Sequence, residues 1–455
     1  IILYERNRDT DNVTNKMVFK GNIEYLTENE ISIRLRATQQ NPSVLPAESL
    51  YAIEHDTMDT TFRSMYQGLY IYLSARKERR DLLLSQRPPR FDESLDSMIS
   101  RSEDDFTRIA LKAKAAQDYF LLIGPPGTGK TSCALKKMVE TFHADKDAQI
   151  LLLSYTNRAV DEICKSLASI APAVDFIRVG SELSCDEAYR GHLIENELSS
   201  CNRRSEVYER IRNCRIIVGT VAAISGKPEL FRLKHFDVAI IDEATQILEP
   251  QLLGILCARG EDGKDAIDKF VLIGDHKQLP AVVQQNTEQS AIYDESLLSI
   301  GLTNLKDSLF ERLYRNCTAT VHRSYDMLCR QGRMHPEVAL FANRAFYGGR
   351  LIPVGLPHQI ESSDTICRLA FYPSVPEKAG ASAKINYSEA RIVADLAVRI
   401  YEDHQTDFDE SRTLGIITPY RSQIALIKKE IESLGIPVLN RILVDTVERF
   451  QGSER

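Results

Sequence analysis

The chain has 455 residues, and its 57 Lys and Arg against 64 Asp and Glu give a formal net charge of −7. This length predicts roughly three domains, and a hydrophobic fraction of 43% is enough for several buried cores. The composition excludes a wholly disordered chain, a collagen and a small disulfide scaffold. The negative balance excludes a basic field over the whole molecule, so any contact with nucleic acid must come from a local patch.

The sequence predicts an intracellular protein, cytoplasmic or nuclear, with no membrane partner. No apolar run approaches the ~20 residues that a membrane-spanning helix needs. The nine cysteines include no Cys-x-x-Cys pair, which is typical of reduced thiols packed as small apolar residues rather than of a metal site. The chain starts at Ile1 rather than at Met, and we therefore expect it to be a fragment.

Residues 1–57 predict a small β domain, because short alternating apolar runs at 17–19, 23–26 and 31–35 are separated by polar turns. Between residues 58 and 90 the apolar side chains recur at helical spacing, which predicts a helical stalk. A run of two prolines at 88–89 ends that pattern.

The rest of the sequence predicts two α/β domains, 91–315 and 316–455, in which short apolar strands alternate with helices. Residues 238–241 are apolar throughout, as expected of a parallel strand that is covered on both faces. A polar, helix-prone stretch at about 181–213 interrupts the first domain and is interpreted as an inserted helical subdomain. In the second domain, strands are predicted at 367–372, 414–418 and 442–445. The predicted fold is thus α/β, with two parallel-sheet domains and a cleft between them.

A phosphate-binding loop follows the predicted strand at 119–123 and opens a predicted helix. Glycines in such a loop allow positive φ and leave space for backbone N–H groups around phosphate oxygens. The lysine is expected to reach the β- and γ-phosphates, and the final threonine to place its hydroxyl on Mg²⁺. The eight residues match G-x-x-x-x-G-K-[ST] in full and predict a nucleoside-triphosphate site: Gly124, Pro125, Pro126, Gly127, Thr128, Gly129, Lys130 and Thr131.

Two further polar segments follow predicted strands. Asp242 and Glu243 come directly after the apolar strand at 238–241, which places them at the ligand-binding edge of a parallel sheet. Asp242 is expected to hold Mg²⁺ and Glu243 to polarise the attacking water, so the pair favours hydrolysis over binding alone. Gln278, after the strand at 269–273, is predicted to sense the γ-phosphate; a plain Asp/Gly turn before Pro280 is the alternative.

In combination these segments resemble the superfamily 1 helicases, specifically the group B branch that contains the nonsense-mediated-decay RNA helicase and its DNA-helicase relatives. The resemblance covers about residues 119–455 and implies two RecA-like domains, with residues 1–57 as a β-barrel (domain 1B) and the insertion as domain 1C. It implies ATP and Mg²⁺ as cofactors. Seven segments in order match that family's motifs I, Ia, II, III, its Gln-Tyr-Arg-Met-His-Pro signature, IV and V: 124–131, 154–161, 242–246, 274–280, 331–336, 417–423 and 444–454.

The resemblance also implies roles around the nucleotide. Arg333, from the second domain, would reach across the cleft as an arginine finger, and Gln278 would couple hydrolysis to the nucleic acid. Tyr420 would stack near the adenine, although an ordinary aromatic at a helix start is the alternative. Arg421 would lie near the phosphates, and Glu454 would contact the ribose or support its loop.

Thr156 and Asn157 would, by the same resemblance, contact the backbone of a single strand of DNA or RNA. We therefore expect a monomeric, ATP-dependent helicase or translocase, and the resemblance implies 5′-to-3′ movement. Two alternatives stay open. One is a nucleic-acid-stimulated ATPase that remodels protein–nucleic-acid complexes without unwinding, and the other is a phosphate-loop ATPase with a protein partner.

Three features depart from the family pattern. Residues 101–116 contain no Gln to recognise the adenine edge, and Gln117 lies close to the first strand. Gly332 stands where the family usually has Tyr, which removes a ring beside Arg333. Motif VI, expected after motif V, is not in the printed sequence, which ends at Arg455.

Overall fold

The structure is a computed structural model that describes residues 1–35, 44–54, 60–283, 285–320, 322–360, 368–374 and 384–450. Within those ranges no helix is both long and apolar enough to cross a membrane.

The N-terminal strands form one antiparallel sheet in the order β3-β2-β1-β4. A helical stalk of two helices follows, α1 (Thr60–Ser74) and α2 (Lys77–Leu83). Closure of the sheet into the predicted barrel stays a prediction, because residues 36–43 lie outside the described part of the chain. The four strands are β1 (Ile2–Glu5), β2 (Val18–Leu26), β3 (Ile31–Leu35) and β4 (Tyr51–Glu54).

A seven-stranded parallel sheet forms the centre of the molecule, in the order β11-β5-β10-β9-β6-β8-β7. Its inner strands are buried along almost their whole length, as their uninterrupted apolar runs predict. Core clusters lie on both of its faces. The strands are β5 (Tyr119–Ile123), β6 (Ile150–Ser154), β7 (Phe176–Val179), β8 (Ile216–Thr220), β9 (Phe236–Ile241), β10 (Ile267–Gly274) and β11 (Tyr325–Met327).

Helices cover this sheet, and the predicted insertion at 181–213 consists of short helical segments between β7 and β8. A wide helical turn, Lys130–Leu135, runs directly into α5, and 3₁₀ turns occur at Glu93–Leu95, Glu182–Ser184, Glu187–His192 and Ala244–Gln246. The helices are α3 (Asp96–Arg101), α4 (Asp105–Ala115), α5 (Lys136–His143), α6 (Asn157–Ala168), α7 (Ile194–Glu197), α8 (Arg204–Asn213), α9 (Val221–Ser225), α10 (Glu229–Leu233), α11 (Glu249–Leu256), α12 (Glu295–Ser299) and α13 (Leu309–Ala319).

The predicted domain boundary at residue 316 differs from the observed sheet. Strand β11 pairs in parallel with β5, with Tyr325 opposite Leu121 and Met327 opposite Ile123. The first domain therefore continues through α13, which packs along the sheet and returns the chain to this edge. A strand of three residues is too short to show a periodic pattern, which is why the sequence did not predict β11.

The second domain has two small parallel pairs, β12 with β13 and β14 with β15. Its core lies between α16, α17 and the last pair. The strand predicted at 367–372 is wrong for the described residues 368–372, which have no regular structure. The elements are β12 (Arg330–Gln331), α14 (Pro336–Tyr347), β13 (Ile352–Pro353), α15 (Pro357–Ile360), α16 (Tyr387–Asp403), β14 (Gly415–Ile417), α17 (Arg421–Ser433), a 3₁₀ turn (Leu439–Arg441), β15 (Leu443–Asp445) and α18 (Val447–Phe450).

Candidate nucleotide and nucleic-acid site

Three neighbouring strands deliver the predicted site residues to one edge of the central sheet. In the register, Leu272 of β10 lies opposite both Leu121 of β5 and Ile241 of β9. The strands are parallel, so the segments that follow them emerge side by side at their carboxyl ends. The backbone N–H of Gly124 also donates to the carbonyl of Gly274 (2.9 Å). The first and third motifs thus begin in direct contact.

The phosphate loop adopts the open conformation that its glycines allow. Gly127 and Gly129 have φ of 73° and 74°, in the left-handed region that favours glycine. The Thr128 hydroxyl donates to the Pro125 carbonyl (2.7 Å) and closes the turn. The helix that begins at Lys130 adds its positive N-terminal end, so the loop is suited to bind phosphate oxygens.

The acidic pair lies against the end of this loop. The Thr131 hydroxyl donates to Asp242 Oδ2 (2.5 Å), and Lys130 Nζ is 3.6 Å from Glu243 Oε1. Asp242 is fully buried, and its burial together with the adjacent Glu243 carboxylate raises the pKa of Asp242 to about 6. A hydroxyl and a carboxylate oxygen in contact are hard ligands of the kind that Mg²⁺ takes. Thr131 and Asp242 therefore fit the metal role that the sequence predicted.

Glu243 is held in an uncommon backbone conformation. Its φ of 53° is left-handed, although it is not a glycine, and such strain persists only where surrounding contacts impose it. Gln246 Nε2 donates to Glu243 Oε2 (3.1 Å) and fixes the carboxylate. The side chain is therefore oriented toward Lys130 and the phosphate loop.

A cavity of about 470 Å³ lies over the phosphate loop, and Glu243, Gln278 and Arg333 line it together with the loop. Arg333 lies in the loop after β12, where the backbone N–H of Gly332 donates to the carbonyl of Gly127 (2.8 Å). A Cβ on Gly127 would lie 2.4 Å from Arg333 Cβ. The four residues predicted to be catalytic therefore all line this cavity: Lys130, Glu243, Gln278 and Arg333.

Two residues that support this arrangement were not singled out from the sequence. Gln331 Oε1 accepts from the backbone N–H groups of Arg333 (3.1 Å) and Met334 (2.8 Å), which shapes the arginine loop. The Tyr347 hydroxyl donates to Asp275 Oδ2 (2.7 Å), which also accepts from Gln278 Nε2 (2.8 Å). Gln331 belongs to a motif that the sequence showed, but nothing in the sequence points from Tyr347 to a residue 72 positions earlier.

The residues predicted to contact a nucleic-acid strand lie beside the acidic pair. Thr156 lines a second cavity, of about 580 Å³, together with Thr131, Asp242 and Glu243. Its hydroxyl accepts from the backbone N–H of Ala159 (3.2 Å) and caps α6. Asn157 is the first residue of that helix and is exposed. Both residues are thus accessible from solvent at the sheet edge.

Of the three nucleotide contacts predicted in the second domain, two do not line the cavity over the phosphate loop. Tyr420 and Arg421 begin α17 in the second domain, and neither lines the cavity over the phosphate loop. Tyr420 is 44% exposed. Glu454 lies outside the described residues.

The chain is similar to known helicases over most of its length. Two protein-family models, each described as an AAA domain, match residues 101–286 in two overlapping parts and residues 305–455. The chain is 27% identical over 476 residues to the "DNA replication ATP-dependent helicase/nuclease DNA2" of Homo sapiens, across 91% of this chain and 40% of that protein. It is 22% identical over 480 residues to the "DNA polymerase alpha-associated DNA helicase A" of Saccharomyces cerevisiae, across 89% of this chain and 66% of that protein.

Among solved structures, it is similar to an arterivirus nonstructural protein 10 (helicase) in complex with DNA, at 15% identity and a TM-score of 0.33, across 76% of this chain and 63% of that one. The chain spans between 26% and 40% of the length of the helicase/nuclease relatives that it matches.

Proposed function

The chain belongs to the superfamily 1 helicases, and from this premise we propose that it couples ATP hydrolysis to movement along single-stranded nucleic acid. One observation carries the proposal. The phosphate loop, Glu243, Gln278 and Arg333 line a single cavity, although they come from four separate segments of the sequence.

The geometry supports a separate role in ATP hydrolysis for each of these segments. The loop backbone and Lys130 bind the triphosphate, and Thr131 and Asp242 hold Mg²⁺, which neutralises phosphate charge when bound. Glu243 orients and polarises the attacking water, since its carboxylate faces the loop beside Lys130. Arg333 places a cation where negative charge spreads in the transition state.

Coupling to a strand follows from the position of the second site. Thr156 and Asn157 lie on the segment after β6, and the cavity that Thr156 lines shares Thr131 and Glu243 with the cavity over the phosphate loop. A strand bound there would therefore contact the segments that respond to the γ-phosphate. We propose that such contacts are made to the backbone and are largely independent of sequence, and that stepping runs 5′ to 3′.

The second domain is proposed to complete the nucleotide site when the cleft closes, through Tyr420, Arg421 and Glu454. The relatives' names, which refer to DNA replication and to a DNA polymerase, support DNA as the substrate and an intracellular location. We propose that the active form is a monomer, because both candidate sites are built from residues of one chain.

The test is ATP hydrolysis by the purified chain with no polymer, with single-stranded DNA and with single-stranded RNA. We expect at least tenfold stimulation by one polymer, and a loss of that stimulation in Asn157→Ala. Gln405→Ala is the matched control, because it removes an exposed amide after α16. Duplexes with a 5′ or a 3′ single-stranded tail would then show polarity. Hydrolysis that responds to neither polymer would reject the strand site and favour a protein partner, whereas stimulation without strand displacement would favour a remodelling ATPase.

A further inference from the structure

The Asp275 carboxylate accepts three hydrogen bonds, and one of them comes from α14, a helix distant in sequence that has no assigned role. The carboxylate follows β10 directly and is 1% exposed. It accepts from the backbone N–H of Lys277 (3.0 Å), from Gln278 Nε2 (2.8 Å) and from the Tyr347 hydroxyl (2.7 Å). Gln278 and Tyr347 share the same oxygen, Oδ2. That atom therefore joins a residue of the nucleotide cavity to the C-terminal end of α14.

Tyr347 is a fixed donor. Its side chain is 6% exposed and belongs to a core cluster of the central sheet. Gly348, with φ of 61°, ends the helix directly after it. Burial, followed by the hydrogen bond to Asp275, raises the pKa of Tyr347 above its usual range, so the hydroxyl keeps its proton. A buried hydroxyl needs a hydrogen-bond partner, and the Asp275 carboxylate is the acceptor that the Tyr347 hydroxyl meets.

Helix α14 connects two points of attachment to the nucleotide site. It begins three residues after Arg333, whose loop is bonded through Gly332 to the carbonyl of Gly127 (2.8 Å). It ends at Tyr347 on Asp275. A helix of 12 residues is ~18 Å long. The two attachments therefore lie at the two ends of one helix.

Resting on the proposed function, we propose that Tyr347 is a positioning residue for ATP hydrolysis that acts through Asp275 on Gln278. Its hydrogen bond holds the Asp275 carboxylate in the orientation that keeps Gln278 on the wall of the nucleotide cavity. Tyr347 itself does not line that cavity, so its effect is on the placement of Gln278 and not on the binding of ATP.

Tyr347→Phe tests this inference, because it keeps the buried ring and removes only the hydroxyl. Tyr119→Phe is the matched control: Tyr119 is also buried (2% exposed) in the same core cluster, and its hydroxyl meets Cys317 Sγ (3.3 Å), away from the cavity. We expect Tyr347→Phe to lower the kcat of polymer-stimulated hydrolysis about tenfold while KM for ATP stays within twofold of the wild-type value. Tyr119→Phe should hydrolyse ATP as the wild type does.

A double variant separates positioning from general stability. If Tyr347 acts through Gln278, adding Tyr347→Phe to Gln278→Ala lowers kcat no further, whereas a purely structural role would multiply the two losses. Asp275→Leu is a second probe of the same bond, since a leucine side chain of similar size cannot accept a hydrogen bond, and it should lower kcat to a similar extent. Where Tyr347→Phe does not fold, this variant decides the matter.

Three results would each overturn the inference and leave the proposed function intact: equal kcat values for Tyr347→Phe and Tyr119→Phe, multiplicative losses in the double variant, or wild-type turnover in Asp275→Leu. A wild-type chain that hydrolyses no ATP would instead reject the proposed function on which the inference rests.

Discussion

Substituting Gly127 by Ala would test whether the phosphate loop positions Arg333. A Cβ at this position would lie 2.4 Å from Arg333 Cβ and 3.0 Å from its backbone N, whereas ordinary contact begins near 3.4 Å. The arginine loop must therefore withdraw by about 1 Å (3.4 − 2.4). A misplacement of ~1 Å in a catalytic group costs on the order of 100-fold in rate. We expect kcat for ATP hydrolysis to fall by about that factor.

The backbone effect of the same substitution can be measured separately. Gly127 has φ of 73°, and Gly263 has φ of 74° with no atom within 4 Å of a Cβ built on it. Both Ala variants should lose about 1–2 kcal/mol of unfolding free energy from the left-handed conformation. Gly263→Ala thus carries the same backbone cost without the contact. Urea unfolding would compare their stabilities, and phosphate release would compare their kcat values.

Comparing the two Ala variants tests whether the contact of Gly127 places Arg333. If Gly127→Ala hydrolyses ATP within threefold of Gly263→Ala, either the loop contact does not place Arg333 or Arg333 does not act in hydrolysis. Arg333→Ala distinguishes the two, because a catalytic arginine should lose activity when truncated. We expect the double variant to be no slower than Arg333→Ala alone, since the displaced group is then already absent.

Three further predictions follow from single contacts. Lys130→Ala should weaken binding of a fluorescent ATP analogue and stop turnover, whereas Lys137→Ala, on the exposed side of α5, should do neither; surviving turnover would place the nucleotide elsewhere. Glu243→Gln should bind the analogue normally but hydrolyse ATP ~10²–10⁴-fold more slowly, and a loss of binding would contradict its role as base. Burial raises the pKa of Asp118, but hydrogen bonds from Arg87 and Arg90 outweigh it and hold that pKa well below its usual range. The Asp118 contribution is therefore complete above the unfolded pKa of about 3.9 and is lost as the pH falls below it. Asp118→Asn should cost ~2 kcal/mol of unfolding free energy at pH 7. The unfolding free energy of this variant should also fall less steeply than that of the wild type between about pH 5 and 2. An unchanged pH dependence in that range would show that the ion pairs do not contribute.

Much of the fold was predictable because its signals are local. Uninterrupted apolar runs marked the buried strands of the central sheet, and each is buried as expected. The α/β class followed from those runs, and the RecA-like domains were implied by the family resemblance that the motifs carry. The edge strand β11 was missed, since three residues cannot show a period and its partner β5 lies about 200 residues earlier.

The site residues that could be predicted are also those with a local signal in the sequence. Lys130 and Thr131 were predicted from the G-x-x-x-x-G-K-[ST] pattern, and Asp242 and Glu243 from their place directly after an apolar strand. The sheet register then brings the strand ends together. Their contacts, such as the 2.5 Å hydrogen bond from Thr131 to Asp242, are consequences of that register. The roles of Tyr420, Arg421 and Glu454 depend instead on how the second domain meets the first, and they stay predictions.

The contacts that no local pattern could reveal are those that tie the arginine loop to the phosphate site. Gly127 meets Gly332, and Asp275 meets Tyr347, across separations of 205 and 72 residues. Both attachments belong to one segment, the arginine loop with α14, and both end on strand-edge loops of the central sheet. Because the segment is attached at two points, we expect a substitution that displaces Arg333 to affect the placement of Gln278 as well. A perturbation at either attachment should therefore be measurable at both.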